Sequence, residues 1–264
     1  MHFVRINDVL LHYRLAGPED APKLVFANSL GTDARIWDAV IARLASSYRI
    51  LSYDKRGHGL SDCPAGEYSL DDHLDDLEGL VRHVGFDRFA LCGVSVGGLI
   101  AQGYALRSPQ SIAALVLCDT APKVGDAQLW NSRRAAVLEQ GLGAIADGIM
   151  ERWFSPGFRK ERPEELAGWR NLFLRTDPEG YAATCATLRD ADLTADIGAI
   201  ALPTLVMVGD ADGATPVELV RACADAIPGA RFQIVPGAGH IPSVEQPALV
   251  ASYLRDLFGE CGYE

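Results

Sequence analysis

Ser95 stands in Gly93-Val94-Ser95-Val96-Gly97-Gly98, after the apolar run Phe89–Cys92 and before the helical run Leu99–Leu106. A serine flanked two residues away by glycine on each side fits a tight strand-to-helix turn, where neighbouring backbone comes close and the serine itself is strained. The helix N-terminus that follows aims amides at developing negative charge. A serine hydroxyl is a weak nucleophile until a base takes its proton and a third group orients that base. Candidates for both partners lie downstream, in the chain order Ser, Asp, His.

The base is His240, in Pro236-Gly237-Ala238-Gly239-His240-Ile241-Pro242 after the apolar run Phe232–Val235. A loop histidine satisfied by backbone is the plain alternative, and three matching pieces in order weigh against it. The acid lies in Gly209-Asp210-Ala211-Asp212-Gly213-Ala214-Thr215-Pro216, where two aspartates compete. Asp212, four residues before Pro216, is preferred, and Asp210 fits a turn former that binds local backbone. An oxyanion hole needs two amides. Val96 supplies one, and the loop Asn28-Ser29-Leu30-Gly31 supplies the other, with Leu30 as the expected donor. Asp54-Lys55-Arg56-Gly57-His58-Gly59-Leu60-Ser61 also carries reactive side chains. Here a structural turn is expected, with Asp54 and Arg56 pairing or bonding nearby loops and His58 a poorer base than His240. His12, His73 and His83 have no partner in view and read as surface or packing residues.

These residues need a scaffold that brings chain segments far apart in sequence to one edge. His2–Ile6 and Leu10–Leu15 read as strands joined at Asn7-Asp8. Leu24–Ala27, Ile50–Tyr53, Phe89–Cys92, Ala114–Cys118, Leu205–Val208 and Phe232–Val235 are short, nearly continuous apolar runs, as in parallel strands buried on both faces. Leu70–Val84 repeats apolar residues at helical spacing, with Ser69 and Asp72 able to form a capping box and Gly85 able to end it. Val217–Ile227 and Gln246–Phe258 read as further helices. Alternating strand and helix predicts a doubly wound α/β sheet with the reactive residues at the carboxyl ends of its strands. No strand candidate falls between Cys118 and Leu205. Residues 121–192 therefore read as a helical cap inserted into a core made of 1–120 and 193–264.

The 264 residues are 48% hydrophobic and 22% charged, enough to build a sizeable core. The formal net charge of −11 argues against nucleic acid and anionic membrane surfaces as partners. Neither a signal-peptide core nor an apolar run of bilayer length is present in the sequence. The six cysteines are scattered, without metal-ligand spacing, and a reduced cytoplasmic compartment fits them. Nothing in the sequence fixes an oligomeric state; a homo-oligomer is compatible with it.

Across nearly its full length the chain resembles the α/β-hydrolase superfamily. The loop Ala27-Asn28-Ser29-Leu30-Gly31-Thr32-Asp33, followed by Trp37, looks like that of the 3-oxoadipate enol-lactonases, where most relatives carry His-Gly in place of Asn28-Ser29. The resemblance implies water-driven opening of a small anionic enol-lactone through an acyl-enzyme on Ser95, as part of aromatic catabolism. No metal or organic cofactor is implied. A substrate carboxylate calls for a cation, and Arg133, with Trp130 or Trp153 shaping the pocket, is the expected binder; solvated arginines and packing tryptophans are the competing reading. A general esterase, a cofactor-free perhydrolase and a carbon–carbon bond hydrolase share the same constellation. A non-catalytic hydrolase-fold receptor is the alternative outside enzymes.

Overall fold

A computed structural model describes residues 1–263. The chain runs through β1 (His2–Ile6), β2 (Val9–Ala16), β3 (Lys23–Ala27), α1 (Asp38–Leu44), β4 (Arg49–Tyr53), α2 (Leu70–His83), β5 (Phe89–Val94), α3 (Val96–Arg107) and β6 (Ile112–Cys118). Helices α4 (Ala127–Gln140), α5 (Ala146–Trp153), α6 (Pro156–Glu161), α7 (Pro163–Leu174) and α8 (Pro178–Asp190) follow without an intervening strand. The fold closes with β7 (Thr204–Gly209), α9 (Val217–Ala226), β8 (Arg231–Val235), α10 (Pro242–Glu245) and α11 (Pro247–Glu260).

The eight strands form one sheet in the order β1-β2-β4-β3-β5-β6-β7-β8. β1 pairs antiparallel with β2, and β2 with β4; every other neighbour is parallel. Central strands β5, β6 and β7 are buried at every residue, which is why they read as unbroken apolar runs. Within each strand side chains alternate between two cores: Leu24 and Phe26 pack on one face, Val25 and Ala27 on the other. Among the described residues no helix is long and apolar enough to cross a membrane.

Local signals set the helix ends. Ser69 accepts from the Asp72 amide at 3.1 Å while Asp72 accepts from the Ser69 amide at 2.8 Å, and Gly85 follows with φ +71°. Asp126 caps α4 and Asp177 caps α8. Helix α1 was not evident in the sequence, because it is two turns long and follows a 3₁₀ turn over Ala34–Trp37.

Two sequence expectations fail here, since His83 Nε2 lies 3.2 Å from the Tyr13 hydroxyl and His12 is paired as well. His12 is not partnerless: its Nδ1 lies 2.8 Å from Asp54 Oδ2, and both groups are buried. β2 pairs with β4, so the end of β4 delivers Asp54 beside a strand more than 40 residues upstream. Asp54 and Arg56 also find separate partners. Asp54 accepts from the Ala34 and Leu60 amides, whereas Arg56 forks onto Asp76 at 2.7 and 2.8 Å.

Candidate active site

β5 ends at Val94, and Ser95 follows with φ 59° and ψ −122°, a conformation that L-residues reach only under strain. The chain can turn there because its glycine neighbours have no side chain. A Cβ on Gly93 would sit 2.1 Å from the Gly97 carbonyl oxygen, and one on Gly97 would sit 2.3 Å from that of Ala27. Ser95 N donates to the Cys118 carbonyl at 3.0 Å, and Thr120 Oγ1 donates to the Ser95 carbonyl at 2.8 Å. The elbow is thus anchored to the end of β6.

β7 and β8 carry the other two groups. His240 Nδ1 lies 2.9 Å from Asp212 Oδ2. Asp212 is held in turn by the Ala214 amide at 2.7 Å, the Thr215 amide at 3.0 Å and Thr215 Oγ1 at 2.5 Å. Burial pushes the Asp212 carboxyl up, but the His240 ring and these hydrogen bonds outweigh it and keep the carboxyl below its ordinary range. Asp210 turns away, with its Oδ1 accepting from the Gly237 and Ala238 amides. Glu245 fixes the histidine loop to the insertion, accepting from the Gly239 amide and from Ser155 N and Oγ.

A third acid escaped sequence reading. Asp119, immediately after β6, is fully buried at φ 48°. Its Oδ1 accepts from the Gly209 amide, and its Oδ2 has no hydrogen-bond partner among the described residues. Ligand atoms of Asp119, Asp212 and His240 all lie within 4.8 Å of one another. Burial and then the neighbouring Asp212 push the Asp119 carboxyl well above its usual value, which favours its neutral form. The His240 Nδ1 and the Asp212 oxygens already engage each other and Thr215, which is the geometry of an oriented base more than of a metal centre. The cue in the sequence was a charged residue directly after a fully apolar strand.

Ser95 and His240 line one cavity of about 80 Å³, together with Ser29, Leu30 and Thr215. Its roof comes from the helical insertion. α4 contributes Trp130 and Arg133, α5 contributes Arg152 and Trp153, and α8 contributes Tyr181. Trp130 and Trp153 are both buried; Trp130 Nε1 donates to the Val124 carbonyl, and Trp153 packs edge-on against Phe173. Arg133 stacks its guanidinium over the Trp130 ring, 4.9 Å from its centre. Neither Arg133 nor Arg152 has a carboxylate partner among the described residues. Sequence reading missed Arg152 and Tyr181, which only the docking of the insertion brings to the cavity.

The loop after β3 forms the opposite wall. The Gly31 amide donates to His58 Nε2 at 2.9 Å, and the Thr32 amide donates to the Ser29 carbonyl at 3.3 Å. Between them, the Leu30 amide takes no partner among the described residues. Val96 N is the first amide of α3 and has no intrahelical acceptor. The insertion is seated on this wall and on the turn after β4: a Cβ on Gly31 would meet the Phe173 ring at 2.9 Å, and one on Gly180 would meet the Gly57 carbonyl at 2.3 Å.

Comparison with known proteins follows the same line. The sequence model of the alpha/beta hydrolase fold family matches residues 22–247. 3-Oxoadipate enol-lactonase 2 of Acinetobacter baylyi is 37% identical over 241 residues, 91% of this chain and 90% of its own. The crystal structure of the enol-lactonase from Burkholderia xenovorans LB400 superposes with a TM-score of 0.95 at 35% identity, covering 98% of this chain and all of that one. A thermophilic esterase from Thermogutta terrifontis, solved with malate bound, gives 0.92 at 29% identity over 98% of each chain.

Proposed function

Because the chain belongs to the α/β-hydrolase fold family and is an enol-lactonase-like hydrolase, we propose that it opens 3-oxoadipate enol-lactone with water to give 3-oxoadipate. The observation that carries this reading is the cavity itself, where Ser95 and His240 share a small space with two guanidinium groups that no carboxylate among the described residues pairs with. A small anionic acyl donor fits that chemistry, and a long acyl chain does not fit that volume. The likeness to the Acinetobacter baylyi and Burkholderia xenovorans lactonases supports the choice of lactone.

In this mechanism His240 Nε2 takes the Ser95 proton as Oγ attacks the lactone carbonyl, and Asp212 fixes the tautomer with the proton on Nδ1. The Leu30 and Val96 amides hold the oxyanion. Collapse breaks the ring C–O bond, and the released enol oxygen leaves as an enolate that is protonated and ketonises. That tautomerisation makes ring opening effectively irreversible. His240 then takes a proton from water, which attacks the acyl-enzyme and frees the product carboxylate and Ser95. Arg133 binds the substrate carboxylate, and Trp130 and Trp153 shape the space around it. On this reading residues 121–192 act as a cap on the core.

A second reading, a carboxylesterase for small acidic esters, is favoured by the malate bound in the Thermogutta terrifontis esterase. Loss of enol-lactone ultraviolet absorbance, with freshly generated substrate and the Ser95→Ala protein as control, separates the two. Fast, Ser95-dependent turnover well above that on aryl esters supports the lactonase; a sluggish lactone with fast aryl esters overturns it.

A further inference from the structure

Lys55 is the most deeply buried lysine of the chain that a charged partner does not explain. It is 2% exposed, and no carboxylate pairs with it among the described residues. The nearest acids are committed elsewhere: Asp54 to His12 and two amides, Asp33 to Arg35. Its ammonium instead donates to the Ser29 carbonyl at 2.6 Å, with the Thr32 carbonyl 3.5 Å away. A buried charge without a counter-ion is costly, and burial pushes this ammonium down to about 7. Packing alone does not account for it, since a methionine would fill the same space more cheaply.

The carbonyl it grips is not an arbitrary one. Ser29 C=O and Leu30 N–H are the two ends of one planar trans peptide group. A cation on the oxygen draws electron density along that group and makes the N–H a stronger donor, without spending the N–H itself. Thr32 Oγ1 and N donate to the same oxygen at 2.9 and 3.3 Å, so Ser29 O accepts three hydrogen bonds while the Leu30 N–H donates none among the described residues. His58, three residues beyond Lys55, holds the next amide at Gly31. The Asp54–Ser61 turn thus grips the peptide unit that carries the Leu30 N–H and the unit that follows it.

We propose that Lys55 is a positioning residue of the oxyanion hole, aiming and polarising the Leu30 amide toward negative charge that forms on a Ser95 adduct. This deepens the reading of Ser95 as nucleophile and of Leu30 N–H as oxyanion donor, and rests on it. The role acts on the tetrahedral state and leaves ground-state binding alone.

An alkyl trifluoromethyl ketone and its methyl ketone counterpart test it. With the former, Ser95 Oγ bonds to the carbonyl carbon, its proton passes to His240, and the carbonyl electrons become an oxyanion; the latter binds without adding. In Lys55→Met, kcat is expected to fall roughly tenfold to a hundredfold with KM changed less than about twofold. Affinity for the trifluoromethyl ketone should fall by the same factor and that for the methyl ketone should hold, with Lys55→Gln, a donor without charge, in between. Unchanged kcat and adduct affinity in Lys55→Met would overturn the proposal. So would equal losses for both ketones, or failure of both variants to fold, since each makes Lys55 a residue of general stability. A wild-type protein that binds the two ketones alike, or Ser95→Ala that still turns over, would sink the underlying Ser95 and Leu30 reading instead.

Discussion

The ring of His58 accepts the Gly31 amide on Nε2 at 2.9 Å and lies 3.2 Å from the Arg56 carbonyl on Nδ1. Nε2 can accept only if it carries no proton, so Nδ1 bears it and the ring is neutral. Burial, with Lys55 next, pushes this imidazole well below its ordinary value, which keeps it in that state. His58 is therefore a strut for the wall facing Ser95. Replacing it by alanine leaves the Gly31 amide buried and unsatisfied, at about 1–3 kcal/mol. Turnover should drop by roughly tenfold, while a fluorophosphonate probe still labels Ser95. A general base at His58 would require labelling to vanish as well.

The strain at Ser95 separates activity from stability. Ser95→Ala should lose at least about a thousandfold in kcat and keep the positive φ penalty. Ser95→Gly should be equally inactive, yet melt higher than Ser95→Ala, because glycine relieves a conformation that costs about 1–3 kcal/mol. Paired melting curves and single-turnover assays check both halves. A Ser95→Gly protein that melts lower would mean the elbow stores no strain.

Arg133 and Arg152 line the same cavity from α4 and α5. Arg133→Ala should raise KM for an anionic lactone about tenfold or more while leaving a neutral aryl ester nearly unaffected. Arg152→Ala should act in the same direction and more weakly, since its side chain is more exposed. An unchanged KM for the lactone in Arg133→Ala would remove it as the carboxylate binder.

Asp119 is expected to cost stability at neutral pH. A carboxyl whose folded value is raised above the unfolded 3.8 contributes fully below 3.8, and that contribution is lost as pH rises. Asp119→Asn keeps shape and neutrality, so its kcat should stay within about threefold of wild type. Its melting temperature should exceed wild type at pH 7 and converge with it near pH 4. A large loss of kcat would instead show an ionised Asp119 taking part in orienting His240.

His73 works in the opposite pH direction. It is buried, neither ring nitrogen has a hydrogen-bond partner among the described residues, and burial pushes it down to about 3 from 6.5. The unfolded chain gains a proton below pH 6.5 that the folded chain refuses, so stability falls with acid between about 6.5 and 3. His73→Leu should remove that slope, with a gain of about 2 kcal/mol at pH 5 by urea titration. Parallel pH profiles for the two proteins would refute it.

Much of this architecture could be read before any coordinates. Strands such as Ile112–Cys118 announce themselves because burial on both faces leaves no polar residue in them. The Ser95 elbow is equally local, since Gly93 and Gly97 are dictated by backbone within a few residues and by the end of β3. The sequence hid what depends on distant encounters. Tyr181 and Arg152 reach the cavity only because α4 to α8 fold over it, and His12 meets Asp54 only through the register of β2 on β4. Lys55 looked like one more charge in a turn, because nothing in a sequence tells which carbonyl a lysine will meet.

Gly57 and Gly180 touch where the turn after β4 receives the first turn of α8, and neither side has room for a single methyl group. Over evolutionary time, any residue arising at one of these positions must be answered by a shift of the other segment, so the two distant stretches are bound to drift together. Diversification of this scaffold is thereby channelled. Side chains on α4 and α5 that line the cavity can be exchanged without disturbing this contact, whereas a change at the seat of α8 must move backbone.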